Sequence, residues 1–433
     1  MNNQQRLLSL DIFRGITIAG MTLVNNPGSW ETVYPPLLHA DWHGVTPTDW
    51  VFPFFLFIVG VAIPLALGRR KEAGADMGAI HRKIGRRVLV IFGFGLLLAA
   101  YPHFGIEDRQ SGLARLHYAL LAVFLLSLFV RELYPGEAHG ALRRSLGYSA
   151  LGAAAGMALI GIFIYDLSSL RIPGVLQRIA LVYGASAMLY LHTSPRGQFR
   201  IAVGLLLGYW AMMTLIPVPG GYPPNLEPET NLGAWLDRTL MGGHLWSQSK
   251  VWDPEGLLST LPAISSGLAG VLTGEWLRSD RSHYEKIAGM MAVGAGLLAI
   301  SFVWDMAFPI NKKIWTSSYV CYTSGVALLG LGLVYWLADA KGYRRWTKPF
   351  VVYGMNALFV YIATGLLVKL FVSIKWTDAA GEDINALGWL YQTLFVPAFE
   401  SPYNASLAYG LFNVAFFLGL AWILYARKIF IRV

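Results

Sequence analysis

Charge is what this 433-residue sequence is short of: 14% of its residues are Asp, Glu, Lys or Arg, against roughly 25% in a soluble domain. With 55% hydrophobic residues and a mean hydropathy of +0.49, it cannot clothe a globular surface in polar groups. Cysteine is nearly absent. The single Cys321 excludes an intramolecular disulfide and any multi-cysteine zinc site, and its apolar surroundings read as a small buried side chain. The short alternating segments of a membrane β-barrel are missing. So are a phosphate-binding glycine loop, a dinucleotide fingerprint and a nucleophile elbow. No cleavage pattern follows Met1 to Leu10, so the first helix reads as a signal anchor. Apolar runs of about 20 residues recur instead, each long enough to cross a bilayer. The fold class is all-α: a polytopic transmembrane bundle.

Twelve helices are expected, near 10–25, 48–68, 87–102, 113–131, 146–165, 174–192, 201–217, 257–277, 287–305, 316–337, 349–374 and 405–426. Alternate loops then fall on opposite sides. One side carries Arg69, Arg70, Lys71, Arg143, Arg144, Arg278, Arg344, Arg345, Arg427, Lys428 and Arg432 among others. The other has Arg109, Arg171, Arg238, Lys250, Lys312, Lys313 and Lys375. The excess is about threefold, which makes the basic side cytoplasmic and puts both termini there. The formal charge of +9 lies in these short clusters and forms no nucleic-acid patch. The chain reads as one domain, 1–433, with a long non-cytoplasmic loop at 217–256. That loop is rich in aromatics, including Trp235, Trp246 and Trp252. A connection of that length is functional or disordered, and aromatics are atypical of disorder.

The densest titratable cluster stands just before the second helix, in His39-Ala-Asp-Trp-His-Gly-Val-Thr-Pro-Thr-Asp49. This loop contains no Lys or Arg, so nothing near in sequence neutralises its carboxylates. His39 and His43 have a spacing that could hold a metal on a helix, but the flanking Pro35, Pro36, Gly44 and Pro47 argue against a regular helix. A structural histidine is one reading. The other is a general base, with Asp41 or Asp49 orienting the imidazole. In helix one, Asp11 and Arg14 share a face: they form either an anchoring ion pair or a charged mouth for an anionic ligand. Asn25-Asn26-Pro27-Gly28 ends that helix, as ordinary turn chemistry or as amides that polarise a carbonyl. Further polar islands sit at helix ends: Arg171 and Arg178, Asp253 and Glu255, Asn311 to Lys313, Ser318, and Asn356 inside helix eleven. Trp252 and its neighbours either anchor at the interface or stack on a sugar ring.

Together, Ser9-Leu-Asp-Ile-Phe-Arg-Gly15, Val24-Asn-Asn26, the His39 to Asp49 block and Phe52-Pro-Phe-Phe-Leu-Phe-Ile-Val-Gly60 resemble the heparan-α-glucosaminide N-acetyltransferase family of transmembrane acyltransferases. So do Arg171-Ile-Pro-Gly-Val-Leu-Gln-Arg178, Asp253-Pro-Glu-Gly-Leu-Leu-Ser-Thr260 and Pro309-Ile-Asn-Lys-Lys-Ile-Trp-Thr-Ser-Ser-Tyr319. The resemblance implies acetyl transfer from cytosolic acetyl-CoA to the amine of a terminal glucosamine across the membrane. It matches His39 to the active-site histidine, Asn25 to the asparagine after the first core helix and Asp49 to the aspartate opening the next. Two departures bear on the acceptor: the lumenal domain of lysosomal members has no counterpart here, and a helix pair at about 113–165 looks inserted. A bacterial-type member in the inner membrane is the expectation.

On this reading acetyl-CoA enters from the basic side, with Asp11, Arg14, Arg178 and Ser318 as its expected contacts. Asp41, His43, Trp252, Asp253 and Glu255 would line the acceptor. His39 would act as general base or carry the acetyl group itself, Asn25 would polarise the carbonyl and Asp49 would hold the imidazole. No metal is expected. The other partners are the bilayer and possible self-association as a homodimer. The competing class is an inner-membrane transporter of N-acetylglucosamine or related sugars, which should show internal repeats and broken helices near the midplane. O-acylation of an envelope polysaccharide would differ only in acceptor.

Overall fold

The computed structural model describes residues 7–102, 104–107, 111–134, 139–377, 381 and 383–431; Arg109 and Arg432 lie outside the described residues. Each expected helix has a helical counterpart. In chain order the helices are α1 (Leu8–Val24), α2 (Val51–Glu72), α3 (Met77–Ala100), α4 (Gly112–Leu133), α5 (Gly140–Ile164), α6 (Val175–His192), α7 (Pro195–Leu215) and α8 (Leu232–Met241). They continue with α9 (Thr260–Arg278), α10 (His283–Asp305), α11 (Ser317–Tyr335), α12 (Lys348–Met355), α13 (Ala357–Ser373), α14 (Ala386–Leu390) and α15 (Pro402–Ala426). Local chemistry sets several starts. Asp76, Ser111, Ser194 and Ser282 each accept a first-turn backbone N–H before α3, α4, α7 and α10.

Three features depart from expectation. The helix expected at 349–374 is two, α12 and α13, bent by 76°. Asn356 makes the break: it leaves helical geometry at φ −121° and ψ 35°. Its buried amide donates to Ile429 O (3.1 Å) and accepts from Ile431 N (3.0 Å), so the C-terminal segment occupies the bend. The 217–256 connection contains α8, whose Asn231 cap accepts from Ala234 N. Past α13, a short hairpin pairs Lys375–Thr377 with Asp383–Asn385.

Among the described residues, seven helices are long and apolar enough to cross a membrane, or eight if the bent pair is one span. Among those outside that count is α1, too short at 17 residues. It packs against α12, α11, α15 and α2, while α9 is enclosed by α2, α7 and α6. A helix shielded by protein need not be apolar all round. Close approach replaces bulk at these crossings. A Cβ on Gly60 of α2 would lie 2.0 Å from Gly267 O of α9, and one on Gly15 of α1 would lie 1.8 Å from Phe350 O of α12. By contrast, α4 and α5 pack chiefly on each other and leave Leu126, Leu151, Ile162 and Phe163 exposed.

Loops are knitted together at each end of the bundle. At one end Arg278 reaches Glu72, Lys71 donates to Tyr190 O, and His283 meets Tyr335. At the other, bonds join the loops around His39, Arg171, Leu226, Asp253 and Lys312. The basic clusters at Lys71 and Arg278 therefore lie away from His39.

Candidate active site

The site begins with a helix cap. Thr46-Pro-Thr-Asp49 forms a short turn before α2 in which cap and third residue bond reciprocally. Asp49 is buried, and its Oδ2 accepts from Thr46 N (2.9 Å), Thr46 Oγ1 (3.1 Å) and Ala40 N (3.2 Å). Its Oδ1 lies 2.6 Å from His39 Nδ1. A contact that short needs a proton between the atoms, which Nδ1 supplies, and Nε2 is the ring nitrogen that the carboxylate does not engage. The His39 side chain is 44% exposed, open enough to meet a ligand. Beneath the dyad, buried Tyr319 donates to Asp49 O (2.6 Å) and packs edge-on against Trp315, whose ring lies under the Arg178 guanidinium.

The connection between α10 and α11 closes the site from far away in sequence. Gly44 N donates to Ile310 O (2.7 Å), and Asn311 Nδ2 stands 3.3 Å from His43 Nδ1. Lys313 donates to Asp41 O. Lys312 Nζ lies 3.4 Å from Asp49 Oδ1 and 2.9 and 3.3 Å from the two His39 ring nitrogens. Burial pulls the Lys312 pKa below its ordinary value, opposed by Asp49 and Glu255.

A second polar cluster adjoins it. Arg171 Nε and Nη2 grip Asp253 (2.8 and 2.6 Å), and Nη2 also reaches Glu255 (2.5 Å). Burial works against the Arg171 charge, but the two carboxylates outweigh it and hold its pKa above the ordinary value. Asp237 of α8 accepts from Leu257 N (2.9 Å), and burial raises its pKa to about 6. Trp252 stacks edge-on with Trp42 (5.2 Å) and Trp246 (5.6 Å), and Trp42 is pinned by a bond to Leu226 O.

His39, Asp49, Asp41 and His43 thus share one loop cluster, and Trp252 joins it through Trp42. Asp253 and Glu255 are near, but Arg171 already engages both. Asn25 is exposed at the end of α1, and among the described residues no hydrogen bond joins it to His39. The shallow pocket near it is lined by Leu23, Val24, Pro27, Val33, Tyr34 and Tyr403 among others and does not include His39. Asp11 and Arg14 sit toward the opposite end of α1, where Arg14 approaches Asp11 (3.4 Å) and Gly354 O (3.3 Å). Arg178 and Ser318 lie at the His39 end instead. Arg178 donates to Pro254 O, Gly256 O and Ser259 Oγ, and Ser318 donates to Phe308 O. Sequence reading missed Lys312, Asp237 and Tyr319 as members of the site. Lys312 stood in a polar island and in a motif block, which was the available signal.

Comparison with known proteins agrees with the motif blocks. A sequence family described as a domain of unknown function (DUF5009) matches residues 6–188. Heparan-α-glucosaminide N-acetyltransferase of Homo sapiens is 26% identical over 480 residues, covering 99% of this chain and 60% of the relative. The Mus musculus protein of the same name is 24% identical over 483 residues, covering 100% and 61%. The chain therefore spans about three-fifths of the length of these curated relatives. The likeness extends along the whole chain, beyond the motif blocks.

Proposed function

We propose that this chain is a transmembrane acetyltransferase that moves an acetyl group from acetyl-CoA to an amino sugar on the far side of the membrane. The observation that carries the reading is the buried Asp49 carboxylate on His39 Nδ1, which leaves Nε2 as a half-exposed base. His39 takes the proton of the acceptor amine or carries the acetyl group itself, and Asp49 fixes its tautomer. Asn25 polarises the carbonyl, which requires the exposed end of α1 to turn inward on binding. Acetyl-CoA supplies the acetyl as an activated thioester. Trp50 Nε1 and Gln177 Nε2, two buried donors that have no partner among the described residues, suit the amide carbonyls of its pantetheine arm. Arg14, with Asp11, suits its anionic nucleotide at the other end of α1. Trp252, with Asp41 and His43, would face the sugar.

In this proposal the basic loop end is cytoplasmic. The short α1 and the less apolar α3, α6 and α9 complete a bundle of about twelve crossings in a bacterial inner membrane. The test is acetyl transfer from radiolabelled acetyl-CoA by purified protein in detergent, across a panel of amino sugars, beside His39→Ala. Product from the native protein alone supports the reading; protein that binds no acetyl-CoA sinks it. Label retained on the protein without acceptor marks His39 as carrier.

One observation favours a second reading, a sugar transporter: the broken span at Asn356. Yet the Asn356 amide already holds Ile429 and Ile431, which leaves that break filled by the chain itself.

A further inference from the structure

Lys312 lies in one of the motif blocks, and no helix cap accounts for its place. Its Nζ lies within 3.3 Å of both nitrogens of His39. An ammonium that close to both cannot sit in the ring plane, where Cε1 would obstruct it, so it lies over the face of the imidazole. At the same time it is 3.4 Å from Asp49 Oδ1. The site is therefore a three-way contact of base, carboxylate and cation.

We infer that Lys312 is a positioning residue that keeps His39 a neutral imidazole, by neutralising Asp49 and by opposing a second positive charge against its own. This deepens the proposed acetyl transfer and rests on it for its biological meaning. A carboxylate bonded to Nδ1 does two things. It selects the tautomer with a bare Nε2, and it favours the imidazolium, which has no lone pair. The first serves either a base or an acetyl carrier, and the second defeats both. Lys312 separates them: the hydrogen bond keeps its geometry while the charge that would protonate His39 is balanced. Other titratable groups near His39 include Asp41 and His43 on its own loop, and Lys313. Glu255, in the connection before α9, acts on Lys312. Lys313 donates to Asp41 O, lies 6.0 Å from the Trp252 ring centre and reaches Asp49 only through longer-range charge.

The test needs neither acetyl-CoA nor acceptor. Diethyl pyrocarbonate carbethoxylates neutral imidazole, and peptide mass spectrometry reads its rate at His39 as a function of pH. In Lys312→Met, the pH of half-maximal modification should rise by about 1–3 units, the usual effect of one nearby charge. Lys312→Arg should restore it, and Lys313→Met, which removes a cation that reaches Asp49 only at longer range, should move it less than Lys312→Met does. If Lys312→Met does not fold, Asp49→Asn tests the same claim, because only the cation then faces the ring. Its midpoint should fall below the roughly 6.5 of free imidazole. An unmoved midpoint in folded Lys312→Met, or one at or above about 6.5 in Asp49→Asn, overturns the inference. A shifted midpoint in a protein that transfers no acetyl group would leave Lys312 in control of His39 and reject the acetyltransferase instead. Normal transfer with no shift would do the reverse.

Discussion

Asp49 and His39 meet at 2.6 Å across ten residues of chain, with the carboxylate buried and the imidazole half-exposed. That inequality gives the two groups different tasks: one is held by three further donors, and the other is free to meet a ligand. His39→Ala and Asp49→Asn should each lower kcat for acetyl transfer by about 10²–10⁴-fold with little change in KM. Steady-state kinetics beside a thermal melt would check it. Loss of activity only in step with loss of folded protein would make the pair structural.

Arg171 engages two acids at once, and Asp253 has no side-chain exposure. Arg171→Met would strand both carboxylates and should destabilise the protein by about 3 kcal/mol or more. Much of that should be recovered in the triple variant with Asp253→Asn and Glu255→Gln. Thermal unfolding in detergent measures both. A triple variant no better than the single one would mean that Arg171 acts by packing alone.

Asp237 gives a pH dependence of definite sign. Burial raises its carboxyl to about 6 in the folded protein, from 3.8 ordinarily. The folded state then binds the proton more tightly, so stability falls as pH rises from about 4 to about 6 and levels off above. Asp237→Asn keeps an acceptor for Leu257 N and removes the charge. Its stability advantage over the native protein should grow through that window to at most about 3 kcal/mol. A constant difference between pH 4 and 7 would refute the assignment.

Glycines in this bundle divide by what surrounds them. Gly15→Ala drives a methyl into Phe350 O and should cost about 1–3 kcal/mol. Gly93→Ala in α3 meets nothing within 4 Å, and should stabilise by about 0.5–1 kcal/mol through lower chain entropy. Equal effects in melting experiments would show that the α1–α12 crossing relaxes.

Much of this was legible along the chain, because the signals involved are local. Hydropathy over about 20 residues located the twelve helical stretches, and Asp49 was placed at the start of the second one, where the structure has a reciprocal cap. The broken helix at Asn356 was less legible. A lone Asn in an apolar run gives no sign of which backbone it will bind, and its partners, Ile429 and Ile431, are more than 70 residues away.

The residues left Asp41 or Asp49 open as the partner of His39, and only the resemblance pointed to Asp49. Class and helix order, by contrast, followed from sequence alone, through the burial of apolar runs. Charge balance did not. The His39 loop has no cation of its own, and tertiary packing brings Lys312 to it from 273 residues away. Arg171, likewise, comes 82 residues to meet Asp253. Which charges meet depends on which helices pack side by side, and a buried carboxylate takes whatever cation that packing delivers. Only the tertiary structure decided it.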